Sequence, residues 1–330
     1  MPYRNHQKIY ILLLFYIAIL SLLNLCYGSV VIEMADILAV FMAKEQGIYA
    51  DIILNLRLPN TLMAIALGIG LSVSGLLMQT YFNNPIASPY LLGISFGASL
   101  GIALGIFIFQ SISQWVLVSF GIIGSMAILF ILLLLALKVR QSNTLLIVGI
   151  LLGNIISAIV ELLQFFAPAA NLQRFVLWGQ SGIQGSSLWE VFIVLPLILL
   201  ACIYIFMRSK GLDALLLGKA YANSLGINIK HLEWEIIIIT GIMTGSLTAF
   251  CGPVGFIGII APHLARWIFK TQKHTTLIIA SALLGANLVL MAGFGSHFFA
   301  QNTPLPLNAL MALLGIPIVF SILWKQKQFS

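Results

Sequence analysis

Charge is what this 330-residue chain has least of. Asp, Glu, Lys and Arg make up 8% of it, against about a quarter in an ordinary globular domain. So small a set excludes a cytosolic enzyme and a charge-rich disordered tail. Cysteine is nearly as scarce, with three residues. Cys26, Cys202 and Cys251 each lie in or beside an apolar run, and their spacing fits neither a disulfide framework nor a zinc site. They read as small hydrophobes, which excludes a secreted disulfide scaffold. The apolar runs are continuous rather than alternating, and that excludes an outer-membrane barrel.

Apolar side chains fill the space that charge leaves. They are 61% of the sequence, about 200 residues, and the mean hydropathy is +1.08. A membrane-spanning helix needs roughly 20 apolar residues, so up to about ten crossings are possible. The runs fall near 9–27, 60–81, 91–109, 115–137, 144–167, 189–207, 234–251, 257–269, 275–297 and 307–324. Nine are long enough to span or nearly so. The eighth is short and preceded by Gly252, Pro253 and Gly255, so it reads as a half-length or broken helix enclosed by protein. The first run follows Arg4 and Lys8 as in a signal peptide, but it lacks a small-x-small cleavage site and reads as a retained helix. The expected fold is all-α: a polytopic integral membrane protein of about ten helices, forming one transmembrane domain over 1–330.

The few charges orient it. With the N-terminus cytoplasmic and ten segments, thirteen basic residues fall on the cytoplasmic side: Arg4, Lys8, Lys138, Arg140, Arg208, Lys210, Lys219, Lys230, Arg266, Lys270, Lys273, Lys325 and Lys327. Lys44, Arg57 and Arg174 fall outside, with Glu33, Asp36, Glu45, Asp51 and Glu190. The asymmetry follows the positive-inside rule and places both termini in the cytoplasm. It also accounts for the net charge of +7 and the pI near 9.4, and no basic patch with interleaved aromatics suggests nucleic acid.

Two connections exceed a tight turn: 28–59 outside and 208–233 inside. In the inner one, Gly211 and Gly226 bracket good helix formers, with Asp213 as an expected N-cap. This predicts a short amphipathic helix over 212–227 on the cytoplasmic surface, either interfacial or a dock for a cytoplasmic partner. Gly218-Lys219 resembles a phosphate loop only superficially, because Ala220 stands where Ser or Thr is required.

Asn84-Pro85 and Gly252-Pro253-Val254-Gly255 break the chain beside apolar runs, and interrupted segments in the two halves of a transporter often line or move its pathway. Gly93, Gly97 and Gly101 recur every four residues, as helices in close contact require. His263 has no second ligand at helical spacing, so no metal site is expected. Glu161 is the one acid inside a run. With Asn154, Ser157 and Gln164 it forms a single polar stripe on an otherwise apolar helix. The stripe either holds the bundle together through interhelical hydrogen bonds or faces a translocation pathway.

Three blocks carry a resemblance. RLPNTLMAIALGIGLSVSGLLMQTYFNNPIASPYLLGISFGASLG (57–101), LGKAYANSLGINIKHLEW (217–234) and GPVGFIGIIAPHLAR (252–266) together resemble the FecCD-type permeases of iron–siderophore, haem and vitamin B12 uptake. The likeness runs from Arg57 to Trp324. It implies an importer permease without enzymatic activity, working as a homodimer in the bacterial plasma membrane. Its implied partners are two cytoplasmic ATP-binding subunits, which use ATP and Mg, and an extracytoplasmic substrate-binding protein. No cofactor is implied in this chain. The resemblance assigns Ala220, Ala222, Leu225 and Gly226 to ATPase coupling, and Asn154, Ser157, Glu161 and Gln164 to the border of the central cavity. It also assigns Arg57 to docking of the binding protein. The family's second arginine of R-L-P-R is Asn60 here, and His297 stands where a second docking arginine is usual, which implies docking that is weaker and pH-dependent or that uses a different salt-bridge geometry. A secondary transporter with Glu161 as its ion site is the competing class, although it would need no ATPase dock. A structural membrane scaffold fits poorly with the polar stripe and broken helices.

Overall fold

The computed structural model describes residues 2–42, 47–110, 113–138, 142–298 and 305–326. Lys44, Glu45, Arg140 and Lys327, used above to orient the chain, lie outside them. The described residues form helices α1 (Pro2–Cys26), α2 (Met34–Phe41), α3 (Ile48–Asp51), α4 (Leu58–Phe82), α5 (Ile94–Phe107), α6 (Gln114–Lys138), α7 (Ser142–Phe165), α8 (Ala169–Ser181), α9 (Leu188–Met207), α10 (Ser209–Leu216), α11 (Lys219–Ser224), α12 (Ile229–Cys251), α13 (Ile257–Phe269), α14 (His274–Phe298) and α15 (Leu307–Gln326). A π-helical segment, Ile52–Arg57, joins α3 to α4 as one 35-residue helix.

Seven helices are long and apolar enough to cross a bilayer, and Ile94–Phe107, Ile257–Phe269 and Leu307–Ile318 are shorter apolar helices. Together they account for the ten runs of the sequence. The fold is that of an all-helical polytopic membrane protein. Its outside is apolar: Ile11 and Phe15 on α1, and Phe192 and Leu200 on α9, are all exposed, as helices facing acyl chains require.

At the centre stands α4, packed against α9, α12, α13 and α14 and buried along nearly its whole length. Lipid supplies no hydrophobic force between helices, so close backbone contact must supply the adhesion. Glycine permits it. A Cβ on Gly285 of α14 would sit 2.2 Å from the Gly68 carbonyl oxygen, and one on Gly75 2.0 Å from that of Gly258. The predicted glycine repeat acts the same way for α5. Cβ atoms at Gly97 and Gly101 would lie 2.6 and 2.0 Å from carbonyl oxygens of Gly124 and Phe120 on α6. Gly93 differs: it precedes the helix, at φ +80°, and approaches Gly153 of α7.

Both predicted breaks are present. After Phe82 the chain leaves helical geometry at Asn83 (φ +47°), and the Asn84 side chain accepts from the Ile86 N–H (3.1 Å) before Pro85 and Pro89 carry the chain to α5. Residues 252–256 run non-helically between α12 and α13, where the Gly255 N–H donates to Asn308 Oδ1 (3.0 Å). Gly258 then lies beside Gly75, well inside α4, so α13 is the half-length helix the short run predicted.

Three local expectations are corrected. Residues 28–59 contain α2 and α3 rather than an open loop, packed through Ile32, Ile37, Val40 and Ile53. Residues 212–227 are not one helix: Gly218, at φ +111°, divides α10 from α11. Asp213 is accordingly no N-cap but sits within α10. An additional helix, α8, lies between α7 and α9 and anchors by a Trp178 Nε1–H bond to the Ala249 carbonyl (3.0 Å).

Candidate functional site

Helix α7 has three faces. Gly149, Gly153, Ile156 and Val160 pack inward, mainly against α5, while Leu151, Ile155, Ile159 and Leu162 are exposed and apolar. Asn154, Ser157, Glu161 and Gln164 form the third face, roughly 90° round the helix from the packed line. Asn154 and Glu161 are exposed and Ser157 and Gln164 half-buried, with Ser157 Oγ 3.5 Å from Glu161 Oε1. The stripe is thus open at Asn154 and Glu161 and partly covered by its own chain at Ser157 and Gln164. A carboxylate on a membrane-embedded helix must meet water or protein, and this face leaves room for either.

The connections gather at two ends. Arg208, Lys210, Lys219, Lys230, Arg266, Lys270 and Lys273 belong to one of them, hereafter the basic end. It is tied together by Asp213–His274 between α10 and α14, by Lys219 Nζ–Glu233 (2.6 Å) between α11 and α12, and by a fork from Arg208 to Glu235. The Glu235 carboxylate beside Arg208 holds the guanidinium above its ordinary pKa. Burial pushes the Asp213 carboxyl up, but hydrogen bonds from the His274 ring and backbone N–H outweigh it, with Lys273 adding to them, and hold it below the usual carboxylate range. The four expected coupling residues divide here. Ala220, Leu225 and Gly226 are exposed, beside exposed Leu217 and Tyr221, whereas Ala222 is fully buried and packs inward. An open groove of about 750 Å³ runs along Lys219, Ala220, Asn223, Gly226, Asn228 and Lys230.

At the opposite end, Arg57 is turned inward. Its Nη1 donates to the Leu25 and Cys26 carbonyls (2.6 and 2.8 Å) and its Nη2 to that of Val30. At 9% exposure it pins the C-terminus of α1, where a cation complements the helix dipole. Asn60 accepts from the Ser186 N–H (3.2 Å) and fixes the turn before α9. His297 lies half-buried in the last turn of α14.

Sequence reasoning missed a set of buried polar contacts on α4. Gln79 donates to the Gly258 carbonyl (3.0 Å) and accepts from Arg266 Nη1 (2.6 Å), so two of the motif blocks quoted above meet in space. Next to it, Thr80 Oγ1 lies 2.8 Å from Nε2 of the fully buried His274. The His274 Nδ1 and backbone N–H lie 2.7 and 2.8 Å from Asp213 Oδ1. A carboxylate only accepts, so Nδ1 carries the proton. The available signal was that Gln79 stands inside the apolar run 60–81 and that Arg266 is the one formally charged residue of its block. Nothing in the sequence paired them. Among the described residues no three His, Cys, Asp or Glu side chains gather as metal ligands.

Spanning helices interrupted at 83–93 and 252–256, a polar stripe along α7 and a structured surface segment between α9 and α12 define a multi-pass membrane protein. The FecCD transport family model matches residues 14–325, and the chain belongs to that family. The vitamin B12 import system permease protein BtuC of Vibrio parahaemolyticus serotype O3:K6 is 31% identical to it over 324 residues, covering 98% of this chain and 95% of that one. BtuC of Shigella boydii serotype 18 is 30% identical over 311 residues, covering 93% and 92%. A solved structure described as an inward-facing metal-chelate type ABC transporter superposes with a TM-score of 0.86 at 26% identity, covering 97% of this chain and 99% of that one. PsaBC from Streptococcus pneumoniae, solved with a Fab, shares the fold at 14% identity and a TM-score of 0.59, covering 79% and 88%.

Proposed function

We propose that this chain is the permease subunit of an ATP-binding-cassette importer of the bacterial plasma membrane, carrying a metal chelate inward by alternating access. The chelate class is ferric siderophore, haem or cobalamin. The basic end is cytoplasmic. There Leu217, Ala220, Tyr221, Leu225 and Gly226 offer two ATPase subunits, which use ATP and Mg, an exposed apolar seat on a segment too polar to cross. Two copies of the chain form a homodimer, and their α7 stripes of Asn154, Ser157, Glu161 and Gln164 face the pathway between them. The binding protein docks at the other end. Arg57 contributes by holding the 27–33 connection in place, and His297 offers an imidazole where a fixed charge is usual, so docking affinity depends on pH. The breaks at Asn84-Pro85 and Gly252-Pro253-Gly255 allow the segments between them to shift. The helix packing is shared by many transporters. One observation carries the ATP-driven reading: the exposed apolar side chains of Leu217, Tyr221 and Leu225, on and flanking α11, at an otherwise basic, water-facing end.

Affinity purification of the tagged chain from its native membranes tests this. An ATPase subunit should copurify, and a deletion strain should lose ATP-dependent uptake of one among cyanocobalamin, haemin and iron(III)-desferrioxamine B. Uptake that collapses with a protonophore, with no ATPase recovered, would instead establish the secondary transporter with Glu161 as its ion site.

A further inference from the structure

Three consecutive side chains at the basic end of α4 each hold a different part of the molecule. Gln79 holds α13, through the Gly258 carbonyl and Arg266. Thr80 holds α14 through His274, and beyond it α10 through Asp213. Tyr81 carries the Lys219 ammonium of α11 over its ring, 5.8 Å from the centroid, and Lys219 also pairs with Glu233 of α12. All three are buried, at 3%, 2% and 8% exposure. Two residues after Tyr81 the helix ends in the left-handed cap Asn83. The surface segment α10–α11 is thus fastened to α4 at two adjacent points, and α4 to α13 at a third. The Gln79 bonds and the Thr80–His274 contact lie among buried residues, where hydrogen bonds strengthen and a stranded His274 nitrogen or Gly258 carbonyl is costly. Asp213 and Lys219 sit at the partly exposed rim.

Building on the importer reading, we propose that Gln79, Thr80 and Tyr81 are positioning residues that transmit displacement of α10–α11 to α4 and α13. Asp213 and His274 form the link on one side and Lys219 the link on the other. Thr80 and Asp213 do not touch. Each acts only through His274, whose ring bridges them. A shift of α10 that keeps the His274 bonds intact must carry the end of α4 with it, and Gln79 then carries Arg266 and the half-length α13. The broken stretches 83–93 and 252–256 adjoin the two driven helices and supply the compliance that rigid spanning helices lack.

The test uses the complete complex of permease, ATPase subunits and binding protein in proteoliposomes. The probe is whichever of cyanocobalamin, haemin and iron(III)-desferrioxamine B the wild type accumulates, and chelate delivered per ATP hydrolysed is measured. Thr80→Val and Asp213→Ala should each lower that ratio about fivefold or more in assembled complexes. The double variant should be no worse than Asp213→Ala alone, because both break the same link. Asp213→Asn keeps the acceptor oxygen and should restore the ratio to within about twofold. A merely structural role would lower the melting temperature and leave the ratio unchanged, and that outcome in Thr80→Val and Asp213→Ala would overturn the proposal. Independent, multiplying losses would overturn it too. If Asp213→Ala fails to assemble, Thr80→Val and Tyr81→Leu decide the matter, a wild-type ratio in both overturning it. A wild-type complex that hydrolyses ATP but accumulates none of the three probes by means of ATP would refute the importer reading instead, and is scored separately.

Discussion

At the scale of single residues, the chain spends its few polar groups on partners far away in sequence. Gln79 bonds the Gly258 carbonyl and Arg266, 179 and 187 residues away, and the two bonds satisfy two donors and two acceptors in an apolar interior. Gln79→Leu should cost about 1–3 kcal/mol, because it strands a guanidinium N–H and a carbonyl. Thermal unfolding of the purified protein should show this as a lowered midpoint. Asp213 gives a pH prediction. Its folded pKa is lowered, so its contribution is complete above the unfolded value near about 3.9 and is lost as pH falls through the lower folded value. The melting temperature should hold from neutral pH down to about 5 and fall below about 4, and Asp213→Asn should lack that acid limb. Some residue-level detail was legible. Ser187 and Glu190 form a reciprocal capping box at the start of α9, and the S-x-x-E spacing that signals one stands in the sequence. The Asp213–His274–Thr80 link was not legible, since none of the three has a local signal for the other two.

At the scale of elements, glycine decides which helices meet. Gly285→Ala places a Cβ 2.2 Å from the Gly68 carbonyl oxygen, so α4 and α14 must part, at a cost of about 1–3 kcal/mol or more. Gly179→Ala, with nothing within 4 Å of the added atom, should be nearly silent. Comparing yields of monodisperse protein for the two checks the distinction. Gly226 poses a different constraint. Open space surrounds it, but its φ of +77° disfavours any side chain, and a β-branched one most of all. Gly226→Val should therefore distort the turn after α11 and reduce transport per ATP, and an unchanged ratio would show that this turn does not couple. Apolar periodicity and length sufficed to locate the ten apolar helices. They did not reveal α8, a 13-residue helix between two spans in which Asn171, Gln173, Arg174 and Gln180 interrupt the apolar residues, because its anchor at Trp178 is tertiary. Nor did they reveal the division of 212–227 at Gly218, where good helix formers on both sides mask one unusual dihedral.

On the scale of the whole molecule, the polar face of α7 leaves Asn154 and Glu161 exposed on a spanning helix, and the importer reading proposed above puts the pathway there. Glu161→Ala should lower chelate uptake several-fold while leaving the complex assembled, a pairing of uptake assay and size-exclusion profile that separates pathway from scaffold. Dissociation of the variant complex would assign the stripe to packing. The sequence alone determined that this is a helical membrane protein. Spanning lipid demands continuous apolar runs, and those, like the sidedness of the charges, are properties of adjacent residues. It also exposed the stripe, because helical periodicity is local. Only the tertiary structure decided which partners those helices and side chains choose. It turned Arg57 inward onto three carbonyls, buried Ala222 while leaving Leu225 exposed, and joined Gln79, Thr80 and Tyr81 to three separate elements. These outcomes depend on contacts spanning tens to hundreds of residues, which close packing selects and local patterns do not record.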